Sequence, residues 1–118
     1  MGNTIYGLSI DAADAAALAG FWAEALGRQV AAGATEGYAE VTIDATSVSV
    51  PRLLFHQVPE AKAAKNRLHL DLIAADRDAE IGRLTGLGAT RIRDVEVGGT
   101  QWTTLADPEG NEFDLVRG

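Results

Sequence analysis

The chain has no cysteine, which removes disulfide staples, thiolate nucleophiles and cysteine-ligated zinc or iron–sulfur centres at once. Histidine is almost as scarce. His56 and His69 are the only two among 118 residues, so a His-rich zinc site is excluded and any metal centre must lean on carboxylates, amides or water. No run approaches the ~18 apolar residues that span a bilayer, and Met1-Gly2-Asn3-Thr4-Ile5 lacks the basic and apolar segments of a signal peptide. The expected location is therefore the cytoplasm, with no membrane partner. Positive charge is also short: 10 Lys and Arg stand against 17 Asp and Glu, giving a net charge of −7 and a pI of about 4.6. The few basic residues are scattered rather than clustered, so nucleic acid is not an expected partner.

What the chain does have is enough apolar material for one core. Leu, Ile, Val and Phe number 29 of 118 residues, above the ~20% below which chains tend to stay disordered. Asn3 to Ile10 alternates like a strand, with Tyr6, Leu8 and Ile10 on one face and Gly7 and Ser9 on the other. Asp14 is placed to cap a helix in which Leu18, Phe21, Trp22, Ala25 and Leu26 recur at helical spacing, and Gly27 suits its end. That spacing makes Phe21 and Trp22 core residues. Three strand-like runs follow, near Arg28 to Ala32, Glu36 to Ile43 and Ser47 to Val58.

The same programme then restarts. Arg67 to Ile73 alternates, Asp76 is placed to cap a helix carrying Ile81, Leu84 and Leu87, and Gly88 closes it. Strands are expected over Thr90 to Val97, Thr100 to Ala106 and Glu112 to Val116, the last two joined by the turn Asp107-Pro108-Glu109-Gly110-Asn111. At an offset of 62, Leu8, Ala12, Ala13 and Asp14 recur as Leu70, Ala74, Ala75 and Asp76. With the repeated element order, this reads as a duplicated βαβββ module: residues 1–59, a linker over 60–66 that includes Lys62, Lys65 and Asn66, and residues 67–118. The expected fold is α+β, two tandem modules forming an open curved sheet cup with helices on the outer face. Gly7, Ser9, His69, Asp71, Glu112 and Asp114 would line the cup, where chemistry is to be sought. Open sheets leave edges that want covering, so a homodimer is expected.

Several segments carry a family resemblance. They are Phe21-Trp22-Ala23-Glu24-Ala25-Leu26-Gly27 after a capping Asp, Pro51-Arg52-Leu53-Leu54-Phe55, Lys65-Asn66-Arg67-Leu68-His69-Leu70-Asp71-Leu72, and Asp107-Pro108-Glu109-Gly110-Asn111-Glu112-Phe113. In order and spacing the chain resembles the glyoxalase, bleomycin-resistance and extradiol-dioxygenase superfamily, also called vicinal oxygen chelate, along essentially its whole length. The resemblance implies a small-molecule ligand and a lyase, isomerase or dioxygenase type of activity. It also implies four ligand positions for a divalent metal (Zn, Ni, Mn or Fe), on the first and last strand of each module. His69 and Asp114 fall on two of these positions, while Gly7 and a residue near Leu53 fall on the others and cannot ligate.

The residues themselves leave two uses of His69 open. With Asp114, and with Asp71 or Glu112 completing the set, it can hold a metal; beside those carboxylates it can also serve as a general base in a metal-free enzyme, or simply line a cavity. Parity counted from Leu53 turns His56 outward and Gln57 inward, so Gln57 is expected to touch ligand. Trp102 is a candidate stacking wall, and Arg67 a candidate holder of an anionic group. The acids of the Asp107–Asn111 turn read as solvated. The competing function, also implied by the resemblance, is non-catalytic sequestration of a drug or metabolite, with acidic residues attracting a cation.

Overall fold

The computed structural model describes residues 2–43 and 51–118. The chain forms two compact units, Met1–Ala61 and Lys62–Gly118. The fold class is α+β, as the residue pattern predicts, with one helix and one open mixed sheet in each unit.

In the first unit, β1 (Gly7–Ala12) leads into α1 (Ala15–Leu26), followed by β2 (Tyr38–Val41) and β3 (Arg52–Gln57). Asp14 caps α1, its side chain accepting from Ala17 N at 3.1 Å, and Gly27 ends the helix at φ 66°, in the left-handed region that glycine enters without steric cost. The sheet order is β1-β3-β2, with β1 parallel and β2 antiparallel to β3. Leu18, Phe21 and Trp22 are buried with Ala39, Val41, Leu53 and Phe55, so the helix stripe and one sheet face form a single core. The expected Arg28–Ala32 strand contributes only an isolated bridge, Val30 to Val41. The part of the predicted Ser47–Val58 strand before Pro51 lies outside the described residues.

The second unit repeats the order with a complete sheet: β4 (Asp71–Ala74), α2 (Arg77–Leu87), β5 (Thr90–Val97), β6 (Thr100–Ala106) and β7 (Glu112–Arg117), arranged β4-β7-β6-β5. Asp76 caps α2 through Ala79 N at 3.1 Å. Ile81 and Leu84 are buried with Leu105, Phe113 and Leu115 on the helix side of the sheet. The other side is open, and the strand register lays it out in rows. Asp71, Asp114, Thr104 and Arg93 are cross-strand neighbours in one row; Ile73, Val116, Trp102 and Val95 form the next. A polar row thus lies beside an apolar one, two residues along the strands and so about 6.5–7 Å away.

β4 begins four residues later than the alternation predicts. Upstream of Asp71 the ladder is carried partly by a side chain: Asn66 Nδ2 donates to Glu112 O at 3.1 Å, and Asn66 Oδ1 accepts from Glu112 N at 3.2 Å. Asp114 N also donates to Leu70 O at 3.0 Å. Asn66, expected as linker, therefore pins the approach to β4 against the start of β7.

Candidate functional site

Between the anchors at Asn66 and Asp71, His69 extends over the polar end of the open face. Its Nδ1 lies 2.8 Å from Asp71 Oδ1 and 3.7 Å from Asp114 Oδ2. Asp114 is held in turn, its Oδ1 accepting from Thr104 Oγ1 at 2.6 Å. The alternation of β4 and β7 produces this meeting. Leu72, Phe113 and Leu115 occupy one side of their strands, which turns Asp71 and Asp114 to the other.

His69, Asp71 and Asp114 each offer a ligand atom within 4.8 Å of the others, a spacing found for this group among the described residues. One imidazole nitrogen and two carboxylates suit a divalent cation of the zinc-to-iron series. Asp114 Oδ2 is the oxygen that Thr104 leaves available. These three residues fit a divalent metal by donor type and spacing.

A cleft of about 280 Å³ adjoins this cluster, lined by Lys65, His69, Arg93, Val95, Trp102, Thr104, Glu112 and Asp114. Trp102 and Glu112, two of the residues that the sequence offers as ligand contacts, are among its lining residues. Asp71 meets His69 at the edge of the same face. Lys65, Arg93, Val95 and Thr104 are lining residues the sequence reading did not identify as such. Lys65 reads as linker in the sequence, and which face of β5 and β6 looks into the open side is undecidable from alternation alone. Arg67 is exposed and is absent from the cleft lining, where Lys65 and Arg93 are the cationic groups.

In the first unit the parity reading is inverted. Leu53 and Phe55 are buried on the helix side, so Gln57 shares their parity, and its Nε2 donates to Ala13 O at 2.9 Å and to Glu36 Oε1 at 3.3 Å. His56 shares the opposite face with Asp11 and Tyr38, its cross-strand neighbours, and its ring is 5.2 Å from that of Tyr38. The register also moves the counterpart of Asp114 by one residue. Ser9 pairs Leu54 as Asp71 pairs Asp114, so Leu54 rather than Leu53 holds that place. Leucine at either position offers no ligand atom.

Gly7, the counterpart of His69, is filled from elsewhere. A Cβ on it would lie 2.7 Å from Arg52 Cγ and 2.9 Å from Arg52 O. Arg52 crosses there to donate from Nε to Tyr6 O at 3.1 Å and stacks 4.2 Å above the Tyr6 ring. In the Asp107–Asn111 turn, Asp107 is buried rather than solvated: Oδ1 accepts from Glu109 N at 2.9 Å and Asn111 N at 3.0 Å, which makes it a turn-former.

The model of the glyoxalase-like domain family matches residues 7–116. No curated protein matches the chain significantly. Among solved structures, a glyoxalase/bleomycin resistance protein/dioxygenase family enzyme from Burkholderia phytofirmans superposes with a TM-score of 0.75 at 16% identity, covering 95% of this chain and 96% of that one. A lactoylglutathione lyase from Agrobacterium tumefaciens gives 0.66 at 16%, covering 100% and 96%. The bleomycin-binding protein of Streptomyces verticillus, solved with copper(II)-bleomycin, gives 0.64 at 20%, covering 100% and 99%. At these identities the likeness is one of fold, and the partner chemistry differs among the neighbours. The family match over nearly the whole length, with the duplicated βαβ order beneath it, places the chain in the glyoxalase-like domain family of the glyoxalase/bleomycin-resistance/dioxygenase (vicinal oxygen chelate) superfamily.

Proposed function

We propose that the chain binds a small, flat molecule in the cleft of its second unit and that His69 acts on it as an acid–base group, in a reaction of the lyase or isomerase type. The observation that carries this reading is the 2.8 Å contact between His69 Nδ1 and Asp71 Oδ1. A carboxylate at that distance assigns the proton to Nδ1, which leaves Nε2 with its lone pair. Asp71 then fixes the ring and stabilises the imidazolium that forms when Nε2 takes a proton from a ligand C–H; the same nitrogen returns it to product. Trp102 and Val95 supply an apolar wall for the ligand body.

The same three residues would hold a divalent metal, which would supply a Lewis acid for a ligand oxygen. His69, Asp71 and Asp114 would be its protein ligands, with Thr104 orienting Asp114. Sequestration of a cationic drug has weaker support. Lys65 and Arg93 line the same cleft as Glu112 and Asp114, so its lining carries no excess of carboxylates to draw a cation. A homodimer and a cytoplasmic location complete the proposal.

The test is a thermal-shift screen of small aromatic carbonyl compounds, with elemental analysis of the protein as purified. Compounds that bind are then followed by NMR for exchange of the hydrogen next to the carbonyl with solvent deuterium. Exchange slowed about 10²-fold or more in His69→Gln, with binding retained, is the expected result. Equal exchange in the variant would remove His69 from the chemistry.

A further inference from the structure

We infer that the ligand of this cleft carries an anionic group, a carboxylate or its equivalent, attached to a flat apolar body; the inference rests on the reading of the cleft as a binding site. The first observation is a β-bulge. Along β5 the register runs Thr90 to Ala106 and Arg91 to Leu105, then skips Ile92, so that Arg93 pairs Thr104. With regular pairing Ile92 would stand opposite Thr104 and put a butyl side chain into the polar row. The extra residue swings Arg93 onto the open face instead, and re-aiming a side chain next to a site is a common use of bulges.

The second observation is that the bulge is braced from behind. Arg91 and Asp94, three residues apart, would face opposite ways on a regular strand. Here Arg91 Nη2 donates to both oxygens of Asp94, at 2.7 and 2.9 Å, and Asp94 accepts from buried Thr103 at 2.8 Å. That network belongs to the side carrying Thr103 and holds Arg93 pointing the other way.

The third observation is charge that is only loosely answered. Arg93 meets Glu112 at 3.6 Å, beyond hydrogen-bond length, and Lys65 has no ion-pair partner among those found for the described residues. Two cationic side chains lining the same cleft as Trp102 and Val95 suit a carboxylate on a ring. The polar and apolar rows, about 6.5–7 Å apart, match the span of one ring and its substituent. An anionic head held by Arg93 and Lys65 leaves His69, in the same cleft, for the reacting part of the ligand.

Three probes with one ring system test this: 1-naphthoate, 1-naphthamide and 1-naphthylmethylammonium, titrated calorimetrically into the whole protein. The carboxylate is expected to bind at least about tenfold tighter than the amide, and the ammonium more weakly than either, as for a charge-assisted contact. Arg93→Gln and Lys65→Gln should each narrow the gap between carboxylate and amide, and the double variant should close it. Equal binding of carboxylate and amide, or preference for the ammonium, overturns the inference while the cleft stands as a site. Failure of all three probes to bind at millimolar concentration overturns both readings.

Discussion

Arg91 and Asp94 clasp each other on one side of β5 although three residues separate them, both Asp94 oxygens accepting from Arg91 Nη2. The clasp exists because Ile92 is bulged out of register, and its effect is to deliver Arg93 to the opposite face. Asp94→Ala is therefore expected to weaken aromatic carboxylate binding to within about threefold of the Arg93→Gln level, though Asp94 lies on the other side of the sheet. Calorimetric titration with 1-naphthoate measures this. Unchanged affinity in Asp94→Ala would show that the bulge holds without its brace.

The same carboxylate gives an acid limb to stability. The Thr103 hydroxyl, and then Arg91, hold Asp94 below the usual carboxylate range; Arg83, chiefly by its hydrogen bonds, does the same for Glu80. A depressed folded pKa means that the stabilisation is present above the unfolded value, near 4, and is lost as pH falls through the folded value. Asp94→Asn and Glu80→Gln should each flatten the decline of urea midpoint below about pH 4 and leave its shape above pH 6 unchanged. A parallel acid limb in both variants would count against these two groups.

Asn66 replaces two backbone ladder bonds with its amide. Asn66→Ala leaves the Glu112 N–H and C=O short of partners and should cost about 1–3 kcal/mol. Hydrogen exchange locates the loss: the Glu112 amide should be deprotected first, with α2 amides slowed as before.

At Gly7 a neighbour rather than φ sets the need for a small residue. Gly7→Ala must push Arg52 away from Tyr6 and should destabilise by about 1–3 kcal/mol in urea unfolding. Gly7→His, tried as a way to supply a metal ligand, should lose more stability and bind Ni or Zn no better than the parent chain in dialysis.

Phe113 is 1% exposed, between Glu112 and Asp114 on the strand that carries the site. Phe113→Ala should cost about 3–5 kcal/mol by chemical denaturation, since the cavity lies under β7. A loss below 1 kcal/mol would mean that the second core can close around the gap.

The residue pattern alone determined much of this protein. The two capping aspartates with their glycine stops, the helical spacing of Leu18, Phe21 and Trp22, and the second helix with its buried Ile81 and Leu84 each follow from local rules of capping and periodicity, which do not depend on what lies across the sheet. Alternation also turns Asp71 and Asp114 to one face of their paired strands. What these rules could not settle is which strand lies beside which and in what register. Leu53 faces the helix and His56 the open side, the reverse of what parity in the sequence suggests, because a one-residue slip reverses every side chain. The bulge at Ile92, the side-chain ladder of Asn66 and the arrival of Lys65 and Arg93 beside Trp102 depend on hydrogen bonds between distant segments. Alternation names two faces for a strand, and only its neighbours choose between them.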